Sequence, residues 1–311
     1  MTTYIARRLL QMIPVLLGIS VIVFLLIRLG GDPVLQLVPE YFTEEQIAEV
    51  RADYGFDRPI VMQYLEFVSR AVRGDFGYSF HNRQPAWDMV TDRLPRTVQL
   101  AVAAVLLSIV VSLPLGIIAA LKRNTIIDVF VTGLSVWGRS LPNFWLGIML
   151  ILLFAVNLGW FPVSGTGDFS NRPFLAHLFL PAFTLAFGLI TTLTRLIRSA
   201  MLEVMREDHV RTARSKGQRE RRVIARHVLR NALIPVVTVL GLQVGWLLGG
   251  AVIIEEVFAW PGMGRLMLSS IMARDNAVVQ AALFVSALII MASNLLVDIT
   301  YTFLDPRIRY A

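Results

Sequence analysis

Residues 97–121 have the sequence TVQLAVAAVLLSIVVSLPLGIIAAL, an apolar run without a charged side chain. At about 1.5 Å per residue, such a helix is long enough to cross the roughly 30 Å hydrocarbon core of a bilayer. Further runs of the same character lie at about 9–29, 127–158, 178–198, 233–257 and 277–303. The sequence therefore predicts an all-α integral membrane protein with six transmembrane helices.

The composition of the chain indicates the same class. Of its 311 residues, 56% are hydrophobic and 16% are charged, whereas soluble domains carry about 25% charged residues. The chain has no cysteine, which excludes disulfides and thiolate metal sites. Its net charge of +7 does not predict nucleic-acid binding, because the basic residues gather in short segments between the apolar runs.

The distribution of Lys and Arg predicts the orientation of the spans. Basic residues occur at Arg7 and Arg8, in the turn at Lys122 and Arg123, and nine times in the loop 199–232. These segments share one side if the runs alternate, and the positive-inside rule places that side and both termini in the cytoplasm. No cleavage site follows the first apolar run, so we interpret it as an uncleaved span.

The runs divide the chain into three parts. Residues 1–29 hold the cytoplasmic N-terminus and the first transmembrane helix, and residues 30–96 form an external loop subdomain. Residues 97–311 form a core of five transmembrane helices with a charged cytoplasmic loop at 199–232. The external segment carries 11 acidic and seven basic residues, so we expect it to be soluble.

Two short helices are predicted in the external segment. Thr43-Glu44-Glu45-Gln46 is a capping box, which opens a helix by exchanging hydrogen bonds between its first and last members. A second helix is predicted over 59–73, with these apolar residues on one face: Ile60, Tyr64, Phe67, Val68 and Ala71.

Patterns of known catalytic sites are missing from the sequence. There is no phosphate-binding G-x-x-x-x-G-K-[ST], no H-E-x-x-H and no G-x-S-x-G. The four histidines are scattered over loops on both sides of the membrane and cannot all meet at one metal. We therefore expect no catalytic residue, no metal and no cofactor in this chain, and its energy source must be another protein.

Four residues are candidates for a translocation pathway or a gate. Arg139 lies about twelve residues into the third run, where an ionisable group is costly, and Pro142 should kink that helix. Arg139 either lines a path suited to a carboxylate or snorkels to the interface. Glu255 and Glu256 end the fifth run on the external side, where a gate would lie.

Small residues and anchors in the runs predict how the helices pack. Gly241, Gly245 and Gly249 form overlapping G-x-x-x-G steps, which let another helix approach closely, either within the chain or across a subunit interface. Arg195 and Arg198, at the cytoplasmic end of the fourth run, are interpreted as interface anchors.

The charged loop 199–232 is predicted to form two short amphipathic helices joined at Gly217. Apolar residues recur at helical spacing on both sides of this glycine, for example Val210 and Ala213 before it and Val223 and Val228 after it. Such helices either lie on anionic lipid or form a docking surface for a cytoplasmic partner. The spacing alone leaves both alternatives open.

Motifs along the whole chain resemble the permeases of binding-protein-dependent ABC importers. Residues 207–217, EDHVRTARSKG, and 227–235, HVLRNALIP, are similar to the cytoplasmic E-A-A-x-x-x-G motif of that family, in the form found in its peptide/nickel branch. Arg211 and Thr212 depart from the general motif. Further segments are similar to the first permease of such a pair: YIARR at 4–8, GDFGYS at 74–79, PNFW at 142–145, IEEVFAWPGMG at 254–264 and DPR at 305–307.

This resemblance implies an ABC importer type I permease fold and a non-catalytic subunit that forms half of a translocation pathway by alternating access. The solute would be a di- or oligopeptide, with nickel or glutathione as the alternative in the same branch. A stand-alone channel or carrier is the more distant alternative. The implied location is the bacterial inner membrane, in contact with membrane lipid.

The resemblance also implies partners for this chain. These are a second homologous permease, two cytoplasmic ABC ATPases that use ATP and Mg, and a periplasmic or lipid-anchored solute-binding protein. The ATPases would dock on the coupling helix, at Glu207, Asp208, Val210, Arg211, Thr212, Ala213, Arg214, Lys216 and Gly217. We expect a bulky side chain at Gly217 to crowd the joint between the two short helices and to abolish transport.

Overall fold

The computed structural model of the protein describes residues 2–29, 34, 42–53, 55–79, 81–167 and 172–304. Within these ranges the chain is mostly helical and forms no strand, apart from an isolated antiparallel bridge between Tyr78 and Pro85. The predicted all-α class is confirmed. The ending Asp305-Pro306-Arg307 lies outside the described residues.

The first three helices are α1 (Thr2–Leu29), α2 (Glu44–Asp53) and α3 (Ile60–Val72). The predicted capping box is present at the start of α2, because the Thr43 backbone N–H donates to Gln46 Oε1 at 2.9 Å and the Gln46 N–H donates to Thr43 Oγ1 at 3.4 Å. Helix α3 lies within the predicted range 59–73. Both short helices predicted within residues 30–96 are therefore confirmed.

Several helices are long and apolar enough to cross a membrane. Four helices pass this test in the described residues, within Ala86–Leu121, Phe174–Val204, Glu220–Gln243 and Asn276–Leu295. The number rises to five if the bent pair Ile126–Arg139 and Asn143–Asn157 is counted as one span. Helix α1 adds the shorter apolar stretch Leu10–Leu25. The chain is thus a multi-span membrane protein.

The third apolar run breaks sharply. Helix α5 (Ile126–Arg139) ends before Pro142, and α6 (Asn143–Leu150) then continues as a π-helix over Ile151–Asn157, with a bend of 109° at the break. Pro142 is extended, at φ −64° and ψ 133°, and it has no N–H with which to continue the helix. The predicted bend at Pro142 is confirmed, but it is a break between two helices and not a kink within one continuous helix.

The second half of the chain contains three long helices and three short ones. They are α7 (Phe174–Val204), α8 (Asp208–Ser215), α9 (Glu220–Arg222), α10 (Leu229–Val257), α11 (Met263–Met272) and α12 (Asn276–Leu304). A π-helix, Val223–Val228, joins α9 to α10 without a loop. The two short helices predicted on either side of Gly217 are therefore α8 and α9.

The chain forms two compact units. The first comprises Met1–Arg96 and Gly262–Ala292, and the second comprises Thr97–Pro261 and Ser293–Ala311. The core of the first unit contains Phe76, Val90, Met263, Val278, Ala281 and Val285. The core of the second is built around α7, where Leu185, Leu189, Leu193 and Ile197 are buried.

Helix α7 is approached closely by two of its neighbours in the second unit. A Cβ added at Gly116 on α4 (Ala86–Leu121) would lie 2.7 Å from Ile197 Cβ. One added at Gly138 on α5 would lie 2.9 Å from Phe187 Cε1. Both distances are shorter than real Cβ contacts, so a larger residue at either glycine would require its neighbour on α7 to shift.

Candidate functional site

The predicted docking segment folds as a helical hairpin, which we call the coupling hairpin: α8, the turn at 216–219, α9 and the following π-helix. Val210 and Ala213 of α8 are buried in the same cluster as Val223 and Val228 of the π-helix. This apolar face anchors the hairpin on the second unit at its α7 and α10 ends.

The opposite face of α8 is polar and exposed. Glu207 occupies the N-cap position and Asp208 the first turn, where negative charge is favourable. Arg211 Nη1 lies 3.7 Å from Asp208 Oδ1 on the surface. The exposed side chains of the predicted docking set are Glu207, Asp208, Arg211, Thr212, Arg214 and Lys216.

Gly217 ends α8 by its backbone conformation. Its φ is +71°, in the left-handed region that side chains other than glycine adopt only at a cost. Among the described residues, nothing lies within 4 Å of a Cβ added at Gly217. A Cβ at Gly217 thus meets no neighbour among these residues, and the constraint that the structure shows at this position is the positive φ.

A bidentate ion pair spans the turn at Gly217. Arg214 donates from Nη2 to Glu220 Oε1 at 2.7 Å and from Nε to Glu220 Oε2 at 3.2 Å. The Arg214 guanidinium lowers the pKa of the Glu220 carboxyl, and that carboxylate raises the pKa of Arg214. Both side chains are about half exposed, so the pair orients the turn more than it stabilises the fold.

Two histidines tie α8 to the helix that follows. His209 Nδ1 lies 3.0 Å from Glu207 Oε2, and its Nε2 lies 3.2 Å from Asn231 Nδ2 at the start of α10. His227 Nε2 lies 3.0 Å from Gln218 Oε1 in the turn. In the described part of the chain, no group of three or more His, Asp and Glu side chains could hold a metal ion.

A buried ion pair joins α5 to α7 and was missed by sequence reasoning. Arg198 donates from Nη2 to Asp128 Oδ2 at 2.7 Å and from Nε to Asp128 Oδ1, and the Asn124 N–H adds a third hydrogen bond at 3.0 Å. Asp128 is only 4% exposed. Arg198 thus binds a carboxylate within the protein. Its interpretation as an interface anchor did not predict this ion pair.

The pathway candidates of the third run lie at its break. Arg139 is the last residue of α5 and is exposed, so it does not lie inside a continuous helix as predicted. Pro142 precedes α6 and is also exposed. The adjacent Gly138 packs against Phe187 and Thr191 of α7, which fixes the end of α5 while leaving the Arg139 side chain outward.

The neighbouring carboxylates at the end of α10 lie in opposite environments. Glu255 is fully buried, and Thr97 Oγ1 donates to its Oε1 at 2.6 Å. Its carbonyl oxygen accepts the Trp260 N–H at 2.8 Å, and the Trp260 ring is buried beside Phe174. Glu256 is exposed. Glu255 therefore holds the turn that follows α10, and Glu256 is the member of the pair that faces outward.

The glycine stripe on α10 passes from the interior to the surface. Gly241 is buried and Gly245 is half-buried, whereas Gly249 is exposed. In the described ranges nothing lies within 4 Å of a Cβ added at Gly249. The predicted close packing of this stripe has no partner helix at Gly249 among these residues, so a helix of another chain remains the prediction there.

Two family models match the chain. Residues 112–310 match "Binding-protein-dependent transport system inner membrane component", and residues 1–101 match the N-terminal model of such membrane components. The chain belongs to this family of transport-system inner-membrane components. It is a multi-pass, non-catalytic membrane subunit of a bacterial ABC transporter.

Curated relatives match over the full length of both chains. The oligopeptide transport system permease protein AppB of Bacillus subtilis is 39% identical over 100% of each chain. The di/tripeptide transport system permease protein DppB of Pseudomonas aeruginosa is 42% identical, and the dipeptide transport system permease protein DppB of Escherichia coli is 39% identical. Each of the latter two covers 100% of this chain and 99% of its own length.

Solved structures share the fold of the core. Inward-facing structures of the MetNI methionine ABC transporter match with TM-scores of 0.55 and 0.58, over 70% of this chain and 96% of the matched chain. The sequence identity is 16%, so the likeness concerns the fold alone.

Proposed function

We propose that this chain is one of two membrane subunits of an ATP-driven importer for di- or oligopeptides. The observation that carries the proposal is the coupling hairpin, whose apolar face is buried in the second unit while its charged face is exposed. A channel or a stand-alone carrier has no use for such a docking surface. The peptide class is supported by the relatives, which are named as oligopeptide, di/tripeptide and dipeptide permeases.

The exposed face of α8 is the proposed site of the ATPases. Two cytoplasmic ATPase subunits would bind and hydrolyse ATP with Mg²⁺, and one of them would seat against the face that contains Asp208, Arg211 and Lys216. Because Val210 and Ala213 pack on the π-helix, a displacement of α8 moves the base of α10. This link would convert ATPase closure into alternating access.

The proposed topology has six spans and cytoplasmic termini. The spans are α1, α4, the pair α5–α6, α7, α10 and α12, and the coupling hairpin lies between the fourth and fifth. Positive residues near Arg7, Lys122 and the hairpin support this orientation. The segment 30–96 and the turn at 260–264 would then face the periplasm, where a solute-binding protein delivers the peptide.

The second, homologous permease would complete the pathway. The exposed Gly249 end of the α10 stripe supports a helix of that subunit packing there. The break at Pro142 places the exposed Arg139 at the end of α5, where its charge suits the carboxylate of a peptide.

Reconstitution tests the function. The chain, its second permease and two ATPases are placed in proteoliposomes with the binding protein, and uptake of a labelled dipeptide is measured with and without ATP. Uptake that requires ATP and is abolished by Arg211→Glu with Lys216→Glu, but not by Arg221→Glu outside α8, supports the docking role. ATP-driven uptake of Ni²⁺ without peptide uptake would assign nickel, and uptake without ATP would overturn the proposal.

A further inference from the structure

Helix α3 combines a buried face with two exposed flanks of opposite character. Tyr64, Phe67 and Ala71 turn inward. On one flank the apolar side chains of Val61, Leu65 and Val72 are 57–79% exposed. Along the other, Arg70 Nη2 donates to Glu66 Oε1 at 2.6 Å. At about 100° per residue, Val61 and Arg70 point in opposite directions around the helix axis.

The buried face of α3 packs directly on α1. The Ser20 hydroxyl donates to the Leu17 carbonyl at 2.8 Å, so the Tyr64 hydroxyl, 2.8 Å from Ser20 Oγ, is the donor in their hydrogen bond. The Phe24 ring contacts Tyr64 edge-on at 5.5 Å between centroids. It also lies 5.9 Å from the Phe67 ring.

These contacts set the depth of α3 in the membrane. The apolar run of α1 begins at Leu9, so Ser20 and Phe24 lie about 17 and 22 Å along the helix axis from its cytoplasmic end. The hydrocarbon core is roughly 30 Å thick, which places both residues in its outer half. A helix that contacts Ser20 and Phe24 therefore lies below the outer surface of the hydrocarbon.

We propose that α3 is an interfacial helix embedded in the outer leaflet, with its Val61–Leu65–Val72 flank in contact with acyl chains. Helix α1, on which α3 packs, also has exposed apolar side chains, at Val21, Ile22 and Leu25. The opposite flank, with Glu66 and Arg70, faces the headgroups and water, as in amphipathic helices that lie in the membrane plane. The segment 30–96 is thus not wholly soluble, contrary to the expectation from its charge count.

Lipid is favoured over a protein occupant by the arrangement of charge. The apolar flank carries no charged residue, and Arg58 lies with Arg70 beside Glu66, with Arg58 Nη1 at 3.6 Å from Glu66 Oε2. All of the charge on α3 is therefore on the flank that faces away from the hydrocarbon. A helix immersed in one leaflet requires this division.

The experiment uses single cysteines, because the chain has none of its own. Val61→Cys, Leu65→Cys and Val72→Cys are each labelled with a small fluorophore in the assembled transporter in proteoliposomes. Arg70→Cys is the matched control on the opposite flank. Quenching is measured with aqueous iodide and with phosphatidylcholine that carries a nitroxide near the headgroup end of an acyl chain. The unsubstituted complex supplies the background.

We expect the three apolar positions to be quenched strongly by the lipid nitroxide and several-fold less by iodide than Arg70→Cys. Strong iodide quenching on both flanks would show a water-exposed helix and overturn the proposal. Protection from both quenchers would show a protein on this flank and overturn it as well. Ile22→Cys on α1 is the depth reference. If iodide reaches it, the proposed topology fails; if it is protected while α3 is not, only this inference fails.

Discussion

Arg198 on α7 holds the carboxylate of Asp128, 70 residues away along the chain, at the first turn of α5. The pair fixes the start of α5 to the helix that leads directly into the coupling hairpin. Because Asp128 is almost fully buried, each partner depends on the other for compensation of its charge. The ion pair therefore fastens α5 to α7 within the second unit.

Removing one partner of this ion pair should destabilise the protein strongly. Asp128→Ala leaves the Arg198 guanidinium without its carboxylate, and we expect a loss of about 3 kcal/mol in the free energy of unfolding. The measurement is the thermal unfolding of the purified chain in detergent. Arg195→Met, one turn earlier on α7 and exposed, is the control and should shift the midpoint little. Equal shifts for the two variants would contradict a structural role for the pair.

Two glycines should respond in opposite ways to the same substitution. Gly116→Ala places a Cβ 2.7 Å from Ile197 Cβ, so we expect a destabilisation of about 1–3 kcal/mol from overpacking. Gly133→Ala, on α5, has nothing within 4 Å among the described residues and should be neutral or stabilise the helix by about 0.5–1 kcal/mol. Thermal unfolding measures both, and a stable Gly116→Ala would show that α4 and α7 can separate without cost.

The effect of a substitution at Gly217 on uptake should depend on how well the new residue tolerates a positive φ, and not on its side-chain volume. The φ of Gly217 is +71°, a conformation that asparagine tolerates, so Gly217→Asn should retain most uptake. Alanine is smaller than asparagine and leucine is larger, but both adopt this conformation only at a cost of about 1–2 kcal/mol. Gly217→Ala and Gly217→Leu should therefore both lose uptake. ATP-driven uptake in proteoliposomes is the measurement, with insertion checked by immunoblot. Full activity of Gly217→Leu together with loss in Gly217→Asn would reject the conformational explanation.

The Arg214–Glu220 pair should make the stability of the coupling hairpin depend weakly on pH in the acid range. The Glu220 pKa is lower in the folded protein than in an unfolded chain, so its stabilisation is present above the ordinary glutamate pKa and is lost as pH falls through the folded value. The difference in stability between wild type and Glu220→Gln should therefore shrink below about pH 4. Thermal unfolding of both proteins, followed against pH, measures this difference; a difference that is constant with pH would exclude the pair as its cause.

Local signals in the sequence predicted the local elements. Apolar runs located the long helices, the capping box located the start of α2, and Gly217 located the turn of the coupling hairpin. The position of the break at Pro142 was predicted correctly, but its bend of 109° was not predicted. Proline indicates where a helix is interrupted, and tertiary packing decides the direction of the chain after it.

The sequence did not predict the contacts between residues that lie far apart along the chain. Nothing in the sequence links Asp128 to Arg198, since each lies at the end of an apolar run, where a charged residue is ordinary. Glu255 and Glu256 are adjacent, and only the fold shows that the first is buried beneath Thr97 while the second is exposed. The position of α3 likewise depended on Ser20 and Phe24, because its composition alone fits a soluble helix equally well.

The helical path from Glu220 through the π-helix to Val257 is unbroken by any loop. A helix that is continuous in this way passes a rotation at its base on to its far end, except for any bending at the π-helix or at Pro235. Over the length of α10, a tilt of a few degrees at the coupling hairpin becomes a displacement of several ångströms at Glu255 and Glu256. In the proposed mechanism, the geometry of this one helix would set how far Glu255 and Glu256 move, and the ATPase would need to supply only a small rotation.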